Sequence, residues 1–222
     1  LSGHGLMIAL VEAQALPASA LPQSKNLQDF DPRVSALTPR SREFLSQLGA
    51  WDAIAAYRHC AYRHMTVWDA EGTGQIEFDH TEVGASELGL IVENRAIVHA
   101  LLARVATAAD ISVLSPVALA SCTRLASSRM SLTLDGGELL EADLLVAADG
   151  SRSQIRQLAA IAVDVRDYDS DGVVANFRCE RAHGDIARQW FGSDSVLAYL
   201  PLPGKHISMV WSMASAAAAQ TA

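Results

Sequence analysis

At 222 residues, half of them hydrophobic, the chain has ample apolar content for a core and the length of one large domain or one and a half smaller ones. A formal net charge of −8 with no offsetting basic tract argues against a nucleic-acid partner, and 19% charged residues without a Ser/Gly/Pro-rich tract argue against disorder. No stretch approaches the ~18 consecutive apolar residues of a membrane span, and three widely spaced cysteines without a C-x-x-C pair indicate reduced thiols.

Residues 6–11 form a short apolar run that ends in Glu12 and predicts a buried strand. At the end of the second strand of a dinucleotide-binding unit, a carboxylate accepts hydrogen bonds from ribose hydroxyls. Glu12 is a candidate for that role; the alternative is a surface glutamate closing a strand. Residues 13–30 are polar with two prolines and read as a long surface loop. Thr38 followed by Pro39 starts a helix as N-cap and first-turn proline, with Phe44, Leu45 and Leu48 as its apolar face and Gly49 as its stop. Residues 51–57 predict a second short helix. His59, Cys60 and His64 match no zinc spacing. They read as a helix end and a strand start with exposed imidazoles, and no metal site is expected. Residues 65–79 alternate around Gly72 and Gly74 and predict a β-hairpin, in which Trp68 is a packing residue.

Asn94 precedes Ile97, Val98, Leu101, Leu102 and Val105, a helical stripe, and so reads as an N-cap at a helix terminus suited to anions. Residues 111–113 and 117–125 predict strands, and 130–134 and 139–145 flank Asp135-Gly136-Gly137, a hairpin signal. The run 144–148 followed by Asp149-Gly150 reads as a central parallel strand. That puts Asp149 at its carboxyl end, where open α/β sheets hold ligands. The segment 151–153 caps a helix over 154–160. From 164 the pattern becomes alternating strands, 172–179, 187–191, 196–202 and 206–213, which predict an antiparallel sheet with a turn at 200–204. Residues 214–222 begin a further helix.

ADLLVAADGSRSQIR, residues 142–156, resembles the second flavin motif of single-component aromatic-ring hydroxylases, relatives of para-hydroxybenzoate hydroxylase. DPRVSALTPRSREFLSQLGAWDAI (31–54), MTVWDAEGTGQIEFD (65–79) and LGLIVENRAIVHALL (88–102) resemble the ubiquinone-biosynthesis branch of that family, in the same order along nearly the whole chain. The resemblance implies an α/β fold, a Rossmann-like FAD-binding domain of the glutathione-reductase type, incomplete, with an antiparallel β-sheet substrate domain. It assigns 1–62 and 88–163 to the FAD-binding domain and 63–87 and 164–222 to the substrate domain. It implies that Arg33 reaches the flavin cofactor, where the bland alternative is an ion pair with Asp29 or Asp31. It also implies that Asn94 bonds the FAD phosphates, that backbone near Val117 contacts the adenine, and that Asp149 and Gly150 belong to the flavin motif. The family's opening GxGxxG turn and its later Gly-Asp motif are not in this sequence. The chain therefore reads as an internal fragment that by itself is expected to hold FAD weakly or not at all and to be inactive.

The activity implied is hydroxylation of the aromatic ring of a prenylated phenol or quinol, with NAD(P)H as reductant of the flavin and O₂ as co-substrate. The cofactor carries that chemistry, so no side chain is nominated as catalytic. The alternatives are a hydroxylase of a soluble aromatic acid on the same scaffold, or a non-catalytic scaffold or assembly subunit. Other ubiquinone-biosynthesis proteins are candidate partners. The expected location is cytoplasmic, with peripheral contact at the inner membrane allowed for by the apolar substrate.

Overall fold

The computed structural model describes residues 2–17, 21–22 and 26–221. In chain order the first elements are β1 (Ile8–Val11), β2 (Val34–Leu37), α1 (Pro39–Gln47), α2 (Trp51–Tyr57), β3 (Cys60–Tyr62), β4 (His64–Asp69) and β5 (Gln75–Asp79). Next come β6 (Gly89–Glu93), α3 (Asn94–Thr107), β7 (Ile111–Leu114), β8 (Leu119–Arg124), β9 (Met130–Leu134), β10 (Leu139–Ala142) and α4 (Gln154–Leu158). The chain closes with β11 (Ser170–Arg178), β12 (Ile186–Phe191), β13 (Ser195–Leu202), β14 (His206–Ala214) and α5 (Ser215–Thr221). It divides into two compact units, one from Leu1–Ser19 and Ala106–Arg166, the other from Ala20–Val105 and Asp167–Ala222. Among the described residues no helix is long and apolar enough to cross a membrane.

In the first unit β1 pairs in parallel with β7, from Ile8↔Ile111 to Val11↔Leu114. Strands β8, β9 and β10 form an antiparallel meander whose Asp135-Gly136-Gly137 turn places Gly137 at φ +81°, a conformation glycine adopts without a Cβ penalty. Leu132 and Leu134 of β9 are its buried side chains. Three expectations fail here. The run 144–148 forms no strand, and Leu144 and Val146 are 73% and 62% exposed. A central parallel strand exists only by hydrogen bonding to neighbours, and none of the described strands pairs with this one. For the same reason β1 is not buried: with β7 as its one partner, Leu10 remains 38% exposed. The helix after the Asp-Gly pair is also shorter than expected, ending at Leu158, with Ala160 at φ +54°.

In the second unit β6 lies between β2 and β3 in an antiparallel sheet and is buried along its whole length. Its two faces have different partners. Leu90 and Val92 join Leu45, Ala50, Ile54, Ala96 and Ala100 in a core built from α1, α2 and α3. Ile91, pointing the other way as strand alternation requires, packs with Phe30 and Leu202. The start of α1 matches the sequence: Thr38 Oγ1 accepts from Ser41 N–H at 3.2 Å, Pro39 opens the helix and Gly49 at φ +68° ends it. Its apolar face does not match, because Leu45 alone is buried while Phe44 is 58% exposed.

The remaining strands form a six-stranded sheet in the order β11-β14-β13-β12-β4-β5, antiparallel throughout except for β12 against β4. The predicted hairpin β4–β5 and the four late strands thus belong to one sheet. Parallel register sets Trp190 opposite Trp68, and their rings stack at 4.9 Å, with Tyr199 edge-on to Trp190 at 5.1 Å. Such offset and edge contacts suit the aromatic quadrupole. Trp68 is a packing residue, as expected.

Candidate functional site

The candidate residues fall into both units, and the local geometry of each group is set by its own unit. In the first, Glu12 directly follows β1. Its N–H donates to Leu114 O at 3.0 Å, its carbonyl accepts from Val117 N–H at 2.9 Å, and its Oε1 accepts from Gln14 N–H at 2.8 Å. Glu12 and Val117 are thus brought together. The Val117 N–H is donated to Glu12, while among the described residues the Val117 carbonyl has no backbone partner.

Asp149 and Gly150 form the turn into α4. Asp149 Oδ1 accepts from Ser153 Oγ at 2.5 Å, and Oδ2 accepts from Ile155 N–H at 3.2 Å. Ser153 is the N-cap, its Oγ accepting from Arg156 N–H at 3.0 Å. The Ser153 hydroxyl holds the Asp149 carboxyl below its ordinary range, helped by the Ile155 N–H. Asp149 therefore braces a helix start instead of ending a strand. Gly150 sits at φ +81° with nothing within 4 Å of the position a Cβ would take. A cavity of about 800 Å³ borders this turn, lined by Met130, Leu144, Leu145, Gly150, Ser153 and Arg156 among others.

In the second unit Arg33 and Asn94 meet directly: Asn94 N–H donates to Arg33 O at 3.0 Å. Asn94 is the first residue of α3, not its N-cap, and its Oδ1 accepts from Ser35 Oγ at 2.6 Å. The side chain is held by β2, because β6 runs straight into the helix with no intervening turn to cap. Arg33 is exposed, and its N–H donates to Asp31 Oδ1 at 2.9 Å. Among the described residues its guanidinium makes no ion pair with Asp29 or Asp31, which leaves an available cation beside a 14-residue helix terminus. That combination suits a phosphate.

A network that spacing did not reveal fixes this pair. Glu93 is 3% exposed, and its carboxylate accepts from Arg58 Nε, Arg95 Nε at 2.8 Å and Asp31 N–H at 2.8 Å. Arg58 and Arg95 also donate to Asp29 O, and the Arg58 guanidinium lies over the Phe30 ring at 4.2 Å. Residues 29–31, which lead to Arg33, are thereby tied to the residue that precedes Asn94. Two guanidiniums on one carboxylate leave a net positive charge, so Glu93 does not repel an anion at the helix start. Neither Arg58 nor Arg95 stood out in the sequence, because what gives them a role is a shared carboxylate that the fold buries.

The trio His59, Cys60 and His64 disperses. His59 packs edge-on to Trp51 with its Nδ1 buried and without a hydrogen-bond partner, and His64 Nδ1 lies 3.0 Å from an Asp79 oxygen. Neither imidazole is fully exposed, because β3 and β4 draw both into the fold.

The FAD binding domain family matches residues 21–221. Over 211 residues, 95% of this chain and 52% of the relative, the sequence is 34% identical to the 3-demethoxyubiquinol 3-hydroxylase of Escherichia coli. It is 34% identical over 230 residues, 98% of this chain and 47% of the relative, to the mitochondrial ubiquinone biosynthesis monooxygenase COQ6 of Homo sapiens. The chain thus spans about half the length of the curated relatives it matches. Among solved structures it resembles Pseudomonas aeruginosa PqsL, a probable FAD-dependent monooxygenase, with a TM-score of 0.76 at 17% identity over 96% of this chain and 55% of that one. It also resembles Klebsiella pneumoniae HpxO complexed with FAD and uric acid, with a TM-score of 0.67 at 14% identity over 96% of this chain and 57% of that one. These likenesses show the α/β fold with antiparallel sheets of the FAD-dependent monooxygenases, and the chain belongs to the FAD binding domain family.

Proposed function

We propose that the protein is a flavin-dependent monooxygenase that hydroxylates the aromatic ring of a prenylated phenol or quinol of ubiquinone biosynthesis, using NAD(P)H and O₂. The observation that carries this reading is the 34% identity to a 3-demethoxyubiquinol 3-hydroxylase along 95% of the chain. We assign 1–62 and 88–163 to FAD binding and 63–87 and 164–222 to the substrate side. When bound, FAD supplies the oxygen-transfer chemistry. The chain's own residues bind and orient it. Arg33 and the start of α3 neutralise phosphate charge, with Asn94 held in place by Ser35. Glu12 presents a carboxylate to ribose hydroxyls, while Asp149 and Gly150 set the turn beside the cavity.

On the six-stranded sheet Trp68, Trp190 and Tyr199 offer an aromatic surface that excludes water from an apolar substrate. Arg188, on the same face, has its guanidinium turned back onto the His183 and Ile186 carbonyls at 3.0 and 3.4 Å. This supports a prenylated ring over a soluble aromatic acid, which calls for a presented cation. A prenyl tail further fits a cytoplasmic protein with peripheral contact at the inner membrane, served by other proteins of the pathway.

The test is the visible spectrum of the native gene product, followed by NAD(P)H-dependent transfer of isotope-labelled oxygen from O₂ to a prenylated phenol. Flavin bands that shift with the phenol, and one labelled oxygen in the product, are expected. A flavin-free protein sinks the proposal, and labelling of an aromatic acid instead moves it to the soluble-substrate alternative. Arg33→Ala is expected to weaken FAD binding tenfold or more, since a charge-assisted hydrogen bond is worth roughly 1.5–3 kcal/mol. Unchanged affinity would remove Arg33 from the site.

A further inference from the structure

Cys60 opens β3, while His183 and Asp185 lie in the turn before β12, yet a ligand atom from each falls within 4.8 Å of the others. Cys60 and His183 are buried and Asp185 is partly exposed. We propose that Cys60, His183 and Asp185 form a site for a divalent cation of the zinc class, with a fourth position left to water. Thiolate, imidazole and carboxylate are the donor types zinc takes, and three protein ligands with an open position is one of its recurrent arrangements.

Two of the three ligands, His183 and Asp185, are already held from behind. His183 Nε2 lies 2.9 Å from Leu202 O, which can only accept, so the ring proton is on Nε2 and Nδ1 carries the lone pair. A backbone carbonyl on the far nitrogen is how metal-bound imidazoles are commonly oriented. Asp185 Oδ2 is paired with Arg63 at 2.7 Å, and Oδ1 points to His183 Nδ1 at 3.6 Å. The Arg63 charge is thereby spent on the carboxylate oxygen that does not ligate. In this turn Gly184 and Asp185 both have positive φ, +68° and +56°, the left-handed region that glycine and aspartate enter most readily.

Three adjustments accompany binding. The Cys60 thiol, which burial keeps protonated and which donates to Ala61 O at 3.6 Å, releases its proton to water as the metal–sulfur bond forms. Nδ1 at present accepts from Asp185 N–H at 3.0 Å, and the cation replaces that bond. The donor atoms also close from within 4.8 Å of one another to the ~3.5 Å separations that tetrahedral bonds to zinc impose. The bound cation ties the start of β3 to the turn before β12. No local spacing predicts it, because its ligands come from two distant segments.

The chelator-treated, reduced chain is titrated with Co²⁺ and then Zn²⁺. One equivalent should give the intense visible bands of four-coordinate cobalt and a near-ultraviolet sulfur-to-cobalt charge-transfer band, both abolished by Zn²⁺. Cys60→Ser should lose the charge-transfer band at unchanged far-ultraviolet circular dichroism. Asp185→Asn should keep it with affinity at least tenfold weaker. Absence of these bands, or bands unchanged in Cys60→Ser because Cys122 or Cys179 ligates, overturns the proposal and leaves a hydrogen-bonded corner only. If Cys60→Ser does not fold, His183→Gln decides: loss of the four-coordinate intensity supports the site, and an unaltered spectrum overturns it.

Discussion

A carboxylate that is 3% exposed persists at Glu93 because two guanidiniums and a backbone N–H converge on it. Removing its charge strands Arg58, itself 10% exposed, beside a neutral amide. Glu93→Gln is expected to cost about 3–5 kcal/mol in urea unfolding, the penalty for leaving buried charge uncompensated. A loss below about 1 kcal/mol, the level of a surface ion pair, would show that water reaches the network. Asp149 works by the opposite sign of exposure. Its carboxyl is held below the ordinary 3.8 by Ser153, so the stabilisation it gives α4 is present above that value and is lost as pH falls through the lower folded-state value. Protection of the α4 amides, taken relative to the intrinsic exchange rate at each pH, should therefore fall on acidification below about pH 4. In Asp149→Asn that acid-dependent step should vanish; a step of equal size in the variant would assign it to another group.

Among the elements, β6 carries the greatest packing demand. Gly89 at its start has no space for a side chain: a Cβ would lie 2.5 Å from Tyr62 Oη and 2.7 Å from Leu37 O. The tyrosine can rotate away, but the backbone oxygen of β2 cannot. Gly89→Ala is expected to destabilise by about 1–3 kcal/mol, the usual cost of overpacking, read as a lowered Tm. An unchanged Tm would show that β2 and β6 separate easily. On the helical side, Ile54 of α2 is fully buried in the core with Leu90 and Val92. Ile54→Ala should cost about 2–5 kcal/mol. The helices themselves were legible in the sequence because their ends are written in local chemistry, Thr38-Pro39 and Gly49 for α1 and the stripe from Ile97 for α3. The faces they bury were less legible: Phe44 is as apolar as Leu45, yet it stays 58% exposed where Leu45 is buried.

Across the whole molecule, burial is uneven between the two units. The second buries β6 on both faces, while in the first β1 has β7 as its strand partner and the run 144–148 is unpaired and apolar. Local opening follows burial and hydrogen bonding. Amides of β6 should exchange slowest in the chain and those of β1 and β7 much faster, measured by native-state hydrogen exchange. Equal protection of both would show that the first unit is held by contacts as extensive as those of the second.

Wherever the determinant was a short-range rule, the sequence by itself determined the outcome. Capping, turn glycines and two-residue alternation fixed α1, the β4–β5 hairpin, the Asp135-Gly136-Gly137 turn and the four late strands. The order of motifs along the chain pointed to a flavin-dependent hydroxylase, and the FAD binding domain family match agrees with the flavin part of that reading. The adjacency of Arg33 and Asn94 was legible only as separate residues with the same expected ligand. Tertiary structure decided what depends on partners distant in sequence. It withheld a strand from 144–148, because apolar residues form a strand only where neighbouring backbone is placed to bond them. It turned Asn94 from a cap into the first residue of a helix anchored to Ser35. It brought Arg58 to Glu93, and His183 and Asp185 to Cys60. Side-chain type is local information, but the field and the hydrogen-bond partners that give it a role are set by whichever segments the fold makes neighbours.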